Sequence, residues 1–386
     1  MMPLIKVLNS KIEETFSNYA SNGEMIELKK EMGKYSMDAI ASSAFGVDAQ
    51  SLQSDADSEF VKQARKIFEL GPSVILYFFF ICPPLQNYPI LARLRKYLVQ
   101  SGMIPSLHFP NKEPNQFFID VVQSTIKQRR ETKTRRNDLI DMMIDAVENS
   151  KEEDEHDDHA NDQFEKDSKV RGVDKYKNIL NEDYVIATAI ILMQAGYDTT
   201  ALTMSNALYE LTLNPECQSR LQDELAEADI DDYSVLQGLP YLDAVLHETL
   251  RIHPVLALLE KICTKEYKVP GTKNLTLKPG DTLQINSIGI MHDPKYFPNP
   301  ETFDPENFMK ERKAERDPLT FTGFNQGPRA CIAMRFALLE MKICLSHLLT
   351  NFNFLSCEKT KRNYETETKT FLGGIKGGAW VRCERR

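Results

Sequence analysis

Apolar side chains recur every three to four positions along most of this chain, the spacing of amphipathic helices. The pattern predicts a helix over 1–15 that starts mid-pattern, with no cap ahead of Pro3, as a chain cut into would. Further helices are predicted over Leu28–Phe45, ending at Gly46, over 58–71, closed by Gly71-Pro72, and over 113–134. The last of these runs into the basic stretch KQRRETKTRR, and Asn137–Glu148 follows as a short helix with Asn137 as its N-cap. Asn181 caps a much longer pattern, from about Glu182 to Leu213, which Asn214-Pro215 stops. Roughly thirty residues at about 1.5 Å each span about 48 Å, the width of a domain. With apolar ILMQA at its middle, this helix reads as a central strut. Two more helices are predicted over 215–228 and 241–253.

After Pro254 the texture changes. Short alternating runs over Thr276–Leu283 and Gln284–Ile290 predict strands, with turns at Pro270-Gly271 and Pro279-Gly280. Proline crowds 294–305, a last helix is predicted over Ile332–Leu349, and the tail FLGGIKGGAW reads as a glycine-rich hairpin. The sum is a mainly α protein with a small β component.

By length alone, 386 residues suggest two or three domains, but no repeat and no Pro/Gly/Ser-rich linker divides the chain. It reads as one domain over 1–386, interrupted by an acidic loop over 150–175. Glu152–Asp167 holds nine acidic residues and one basic, and so carries -8 of the net charge of -9. Its low hydrophobicity and single sign argue for a disordered, solvated loop. A nearly neutral remainder argues against a nucleic-acid binder. The seven cysteines have no paired spacing and read as reduced thiols rather than a disulfide framework. The longest apolar run, Val74–Cys82 (VILYFFFIC), is too short to span a bilayer. It reads as a buried element or as a surface that dips into a membrane.

One cysteine has unusual surroundings. In FNQGPRACIAMRFA (Phe324–Ala337), Gly327 permits a tight turn, Pro328 fixes φ, and Arg329 places a cation two residues before Cys331. The helix behind offers free N–H groups and the positive end of its dipole. All of these favour a thiolate. On a rigid loop a thiolate is a nucleophile or a metal ligand. No sequence context typical of nucleophilic cysteines is present, whereas a ligand to haem iron needs only the sulfur, the N–H groups and a cation for a propionate.

Phe324-x-x-Gly327-x-Arg329-x-Cys331 resembles the haem-binding signature of the cytochrome P450 family of haem-thiolate monooxygenases. The likeness extends over nearly the whole chain, and it is greatest to the microsomal animal branch that oxidises steroids and foreign compounds. It implies haem b (iron protoporphyrin IX) with Cys331 as axial ligand, and Phe324, Gly327 and Arg329 as cofactor-binding residues. The family often has proline and glycine where this chain has Gly323 and Asn325. Asn tolerates the left-handed conformation next best after Gly, so the loop shape can survive. Ala333 replaces a family glycine, adding one methyl beside the porphyrin.

AGYDTT (Ala195–Thr200) lies inside the long predicted helix. In the plain reading Gly196 costs the helix about 1 kcal/mol relative to Ala, and Thr199 bonds a carbonyl one turn back. In the functional reading Gly196 lets a ligand approach, the hydroxyl holds a water, and the acid passes protons inward. The resemblance implies the second. Thr199 then hydrogen-bonds dioxygen or its water, Asp198 helps deliver protons, and Ala195 and Gly196 adjoin the cofactor.

Glu248 and Arg251 are spaced i, i+3 in HETLR, followed by His253-Pro254, and match the family's buried ion pair. The partner loop, Pro305-Glu306-Asn307-Phe308, has Asn where the family has Arg, so a three-way salt network is reduced to hydrogen bonds. Lys261 falls where an arginine often reaches a haem propionate. Val255, Leu256, Leu258 and Leu259, with Leu372 in the Phe371–Gly373 turn, match stretches lining a pocket for a lipophilic substrate. The resemblance also implies a further N-terminal region with a membrane anchor and first strands, and it places Val74–Cys82 at the bilayer.

The expected activity is insertion of one oxygen atom from O2 into a lipophilic small molecule. Electrons come from NADPH through NADPH-cytochrome P450 reductase, at the cytosolic face of the endoplasmic reticulum membrane. Two other functions suit the same motifs: a haem-thiolate isomerase, against which Asp198 and Thr199 argue, and a catalytically silent haem- or lipid-binding relative.

Overall fold

Helix α1 (Met2–Asn22) buries Ile5, Leu8, Ile12 and Phe16 on one face and runs seven residues past its predicted end. A short strand β1 (Ile26–Glu27) leads into α2 (Leu28–Ile40), capped where the Glu27 carboxylate accepts from Lys30 N. The helix widens into one π turn, Ala41–Phe45, and stops at Gly46, whose φ is 67°. This computed structural model describes residues 2–53, 59–60, 62–63, 112–152, 181–272, 274–367 and 372–386. Most of the predicted 58–71 helix, the Val74–Cys82 run, Phe371 and the acidic segment beyond Glu152 therefore lie outside the described residues.

Helices α3 (Lys112–Thr132) and α4 (Leu139–Glu152) are joined by buried charge. Arg129 donates to both Asp138 oxygens and to Asp141. The cap of α4 is Asp138, whose side chain accepts from Asp141 N, rather than Asn137, which adopts φ 55°. Helix α5 spans Glu182–Leu213, the predicted limits, with the Asn181 side chain accepting from Tyr184 N. Then come α6 (Pro215–Ala226), α7 (Tyr233–Gly238) and α8 (Pro240–Ile252).

The strands that follow are short: β2 (Leu258–Ile262), β3 (Tyr267–Lys268), β4 (Thr276–Leu277) and β5 (Thr282–Asn286). The predicted 284–290 strand ends early, because Asn286 caps α9 (Ser287–Met291) by accepting from Gly289 N. Helices α10 (Lys310–Glu315) and α11 (Met334–Asn351) and strands β6 (Phe352–Leu355) and β7 (Trp380–Arg385) complete the order.

Three small antiparallel sheets result. β7 is central in the first, pairing Val381 with Ile26 and Phe354 with Cys383, so the two ends of the chain close together. In the second, β2 pairs with β5 from Leu258↔Asn286 to Ile262↔Thr282. The third joins β3 to β4. Of the predicted tail hairpin over 371–380, the described residues show one isolated antiparallel bridge, Thr366↔Ile375, and the strand β7 from Trp380. Helix α5 is the strut: it packs on α2, α8 and α11. It is long and apolar enough to cross a membrane by composition, but those contacts make it the core helix of a mainly α domain.

Candidate functional site

The loop before α11 is set by its backbone. Asn325 has φ 60° and Gly327 φ 77°, both left-handed, so the two tolerant residue types stand where the turn requires them. The Asn325 amide donates to Arg329 O, and its oxygen accepts from Gln326 N. Gly327–Arg329 forms one 3-10 turn, and Cys331 N donates to Phe324 O at 2.8 Å. A Cβ on Gly323 would meet the Phe321 ring at 2.6 Å, which accounts for a glycine there. The loop thus presents Cys331 on the surface three residues before α11 begins, next to Ile332, which is 94% exposed. Five residues on, Phe336 turns back into the cluster that holds Met193 and Tyr197 of α5.

The middle of α5 has two faces. At 100° per residue, Ala195 and Thr199 share one stripe and Tyr197 lies opposite. Tyr197, Gly196 and Asp198 face α2. The Tyr197 hydroxyl would lie 3.3 Å from a Cβ on Gly33, a Cβ on Gly196 would lie 2.7 Å from Ile40 Cδ1, and Asp198 Oδ1 is 3.2 Å from Lys29 Nζ. Gly196 therefore serves close packing of α2 on α5. Ala195 is exposed and Thr199 half-buried on the open side. The Thr199 hydroxyl donates to Ala195 O at 2.6 Å, the one-turn-back bond, which leaves its oxygen free to accept.

Behind the loop, Glu248 and Arg251 are both fully buried. All five guanidinium N–H groups are used: two on Glu248, and three on the carbonyls of Met291, Pro300 and Thr302. Glu248 Oε1 also accepts from Asp304 N and from Asn307 Nδ2 at 3.2 Å, so Asn307 contributes the hydrogen bond expected of it. Burial pushes the Glu248 carboxyl up, and its hydrogen bonds to Arg251, Asp304 and Asn307 oppose that. The pair fastens the 291–307 segment to α8.

Lys261 is half-buried on β2, and Arg329 is exposed. Strand alternation separates the predicted pocket residues: Leu259 is buried, whereas Leu258, on the opposite face, is 52% exposed. One cavity wall does not take both. Leu256 is exposed, and Val255 and Leu372 are half-buried.

Sequence reasoning missed three groups. Lys29 pairs with Asp198. Arg316 stacks on Phe297 and Phe308. His253, Glu210 and Tyr364 form a partly buried cluster, with Glu210 Oε1 taking the Tyr364 O–H at 2.5 Å and lying 2.8 Å from His253 Nε2. Only His253-Pro254 carried a signal; the partners lie 43 and 111 residues away.

The site's geometry is an exposed soft donor, Cys331, on a tight turn beside an exposed Ile332, and a stretch of α5 with an exposed Ala195 and the hydroxyl of a half-buried Thr199. A family model for cytochrome P450 matches residues 1–380, and the chain belongs to that family. It is 34% identical to cytochrome P450 9e2 of Blattella germanica over 366 residues, 94% of this chain and 64% of that one. To cytochrome P450 3A16 of Mus musculus it is 32% identical over 381 residues, 97% of this chain and 68% of that one. Probable cytochrome P450 6a13 of Drosophila melanogaster matches at 34% over 366 residues, 93% and 66%. The chain thus spans about two thirds of the length of these curated relatives. The family implies haem, and the residues present fit it: among the described residues Cys331 is the one exposed thiol, and it would hold the iron as a soft ligand.

Proposed function

We propose that this chain is the catalytic part of a haem-thiolate monooxygenase that inserts one oxygen atom from O2 into a lipophilic small molecule. The observation that carries the reading is the Cys331 loop, its thiol exposed three residues before α11, a helix that packs on α5, where Ala195 is exposed and Thr199 half-buried. When bound through Cys331, haem b supplies the oxygen chemistry, with electrons from NADPH delivered by NADPH-cytochrome P450 reductase. The chain's own residues do the rest. The Phe324–Cys331 backbone bond fixes the sulfur. Arg329 and Lys261 are the cations available to propionates. Thr199 accepts or relays a proton at Oγ1 on the open stripe, and Asp198 supplies it, held in reserve by Lys29. Ala195 leaves room on the same stripe. Val255, Leu256, Leu372 and one face of β2 offer apolar contact to substrate. The protein works at the cytosolic face of the endoplasmic reticulum membrane, where lipophilic substrates partition.

The test is a reduced, CO-treated difference spectrum of the haem-reconstituted chain, followed by NADPH-driven oxidation of a lipophilic probe with the reductase added. A red-shifted thiolate band that disappears in Cys331→Ala supports the reading. A parent chain that takes up no haem, or a band that survives Cys331→Ala, refutes it.

A further inference from the structure

The buried ion pair behind the cysteine loop has a neighbour that the motifs do not predict. Glu248 shares its charge with Arg251, while position 307 offers only an amide. A second guanidinium nevertheless stands close by. Arg316 Cζ lies 4.2 Å from the centroid of the Phe297 ring and 4.9 Å from that of Phe308. Arg251 Cζ lies 5.1 Å from the same Phe297 centroid. Both cations therefore lie against one ring, with the Glu248 carboxylate bidentate to Arg251. Among the described residues Arg316 makes no hydrogen bond, so the rings and the field of Glu248 are what hold it. Burial and Arg251 both lower its pKa, and Glu248 acts the other way.

We propose that Arg316 is a positioning residue that supplies the second cation of this lock, in place of Asn307, and holds the cysteine loop through Phe308 and Phe321. The links are contacts. Phe308 meets Phe321 edge-on, with centroids 5.1 Å apart. The His247 ring lies 5.5 Å from Phe308 and 5.2 Å from Phe321. Phe321 O accepts from Gln326 Nε2 at 3.1 Å, and Gln326 sits inside the turn that ends at Cys331. A guanidinium stacked on Phe297 and Phe308 thus fixes the aromatic plate on which the loop rests. Arg316 follows α10 directly and precedes the Pro318–Thr320 turn, so its anchor also fixes where the chain re-enters toward the loop.

The role of the loop as a cofactor holder rests on the proposed function; the role of Arg316 in ordering it does not. Hydrogen exchange by mass spectrometry on the full chain, with and without haem, separates the two. In Arg316→Gln, peptides covering 318–331 are expected to exchange about fivefold faster or more, the loss of a desolvated cation–π contact. Peptides of the β1-β7-β6 sheet are expected to stay unchanged. Asn307 Nδ2 already reaches Glu248 Oε1, so an arginine there brings its charge to the same carboxylate. Asn307→Arg combined with Arg316→Gln is therefore expected to restore protection. Arg316→Lys, which keeps the charge and part of the stacking, serves if Arg316→Gln does not fold, and is expected to fall between the two. The proposal is overturned if loss of Arg316 leaves 318–331 within about twofold of the parent, if the sheet loosens equally, or if Asn307→Arg restores nothing. A parent without a thiolate band sinks the proposed function and leaves the exchange result to judge Arg316.

Discussion

Lys29 Nζ lies 3.2 Å from Asp198 Oδ1, joining the first turn of α2 to the middle of α5. The two side chains are 38% and 21% exposed, so the pair is worth only about 0.2–1 kcal/mol. Its effect is directional: Lys29 draws the carboxylate toward α2, away from the stripe that carries Thr199. Lys29→Met is expected to leave stability nearly unchanged and to raise product formation, by at most about fivefold, the population shift such a pair permits. The control is the same change in an Asp198→Asn background, where the gain must vanish. An equal gain in both backgrounds would show that Lys29 acts elsewhere.

The Thr199 hydroxyl is the one polar side-chain atom of the Ala195–Thr199 stripe. Alanine is the best helix former, so Thr199→Ala leaves α5 intact. Product formed per NADPH consumed is expected to drop severalfold while NADPH consumption continues and hydrogen peroxide accumulates. Coupling equal to that of the parent would remove Thr199 from the proton relay.

Local signals carried much of this fold. Asn181 at the start of α5 and Asn214-Pro215 at its end bound the helix without help from the rest of the chain. Asn325 holds its left-handed turn because that preference belongs to the residue itself. What depends on distant partners left no local trace. Ile26 pairs with Val381 across almost the entire chain, and two-residue strands such as β1 show no alternation to read. Gly196 carried the expectation of ligand approach, yet Ile40 fills the space beside it, a contact set by how α2 crosses α5. Asn307 showed in sequence that a cation was missing from the lock. Arg316, nine residues on in a stretch with no motif, gave no hint that it stacks there.

Removing Arg251 tests the lock directly. Arg251→Met leaves Glu248 buried and uncompensated, a loss expected to cost about 3–5 kcal/mol. Arg251→Lys is also expected to destabilise, because three ammonium donors cannot serve the five contacts the guanidinium makes. Denaturant unfolding measures both. A loss under about 1 kcal/mol for Arg251→Met would mean that the surrounding segment holds without the pair.

Glu340 lies in α11, wholly buried, with neither carboxyl oxygen hydrogen-bonded in good geometry. Burial pushes its pKa up to about 8, and the nearby Ser36 hydroxyl offsets this only in part. Tyr35 and Cys344 beside it are themselves pushed up by burial and stay neutral, so neither compensates a charge on Glu340. The sign follows from proton counts. Between the unfolded value near 4.5 and the folded value near 8, the native chain holds a proton that the unfolded chain has released. Stability from this group is therefore greatest below about pH 4.5, falls by up to about 1.4 kcal/mol per pH unit, and levels off above about pH 8. Glu340→Gln cannot ionise and removes that slope. Its unfolding free energy relative to the parent, taken at pH 5 as the baseline for the amide, is expected to rise steadily toward pH 8, by a few kcal/mol in all. Parallel pH profiles for the two proteins would show that Glu340 is already ionised in the folded state.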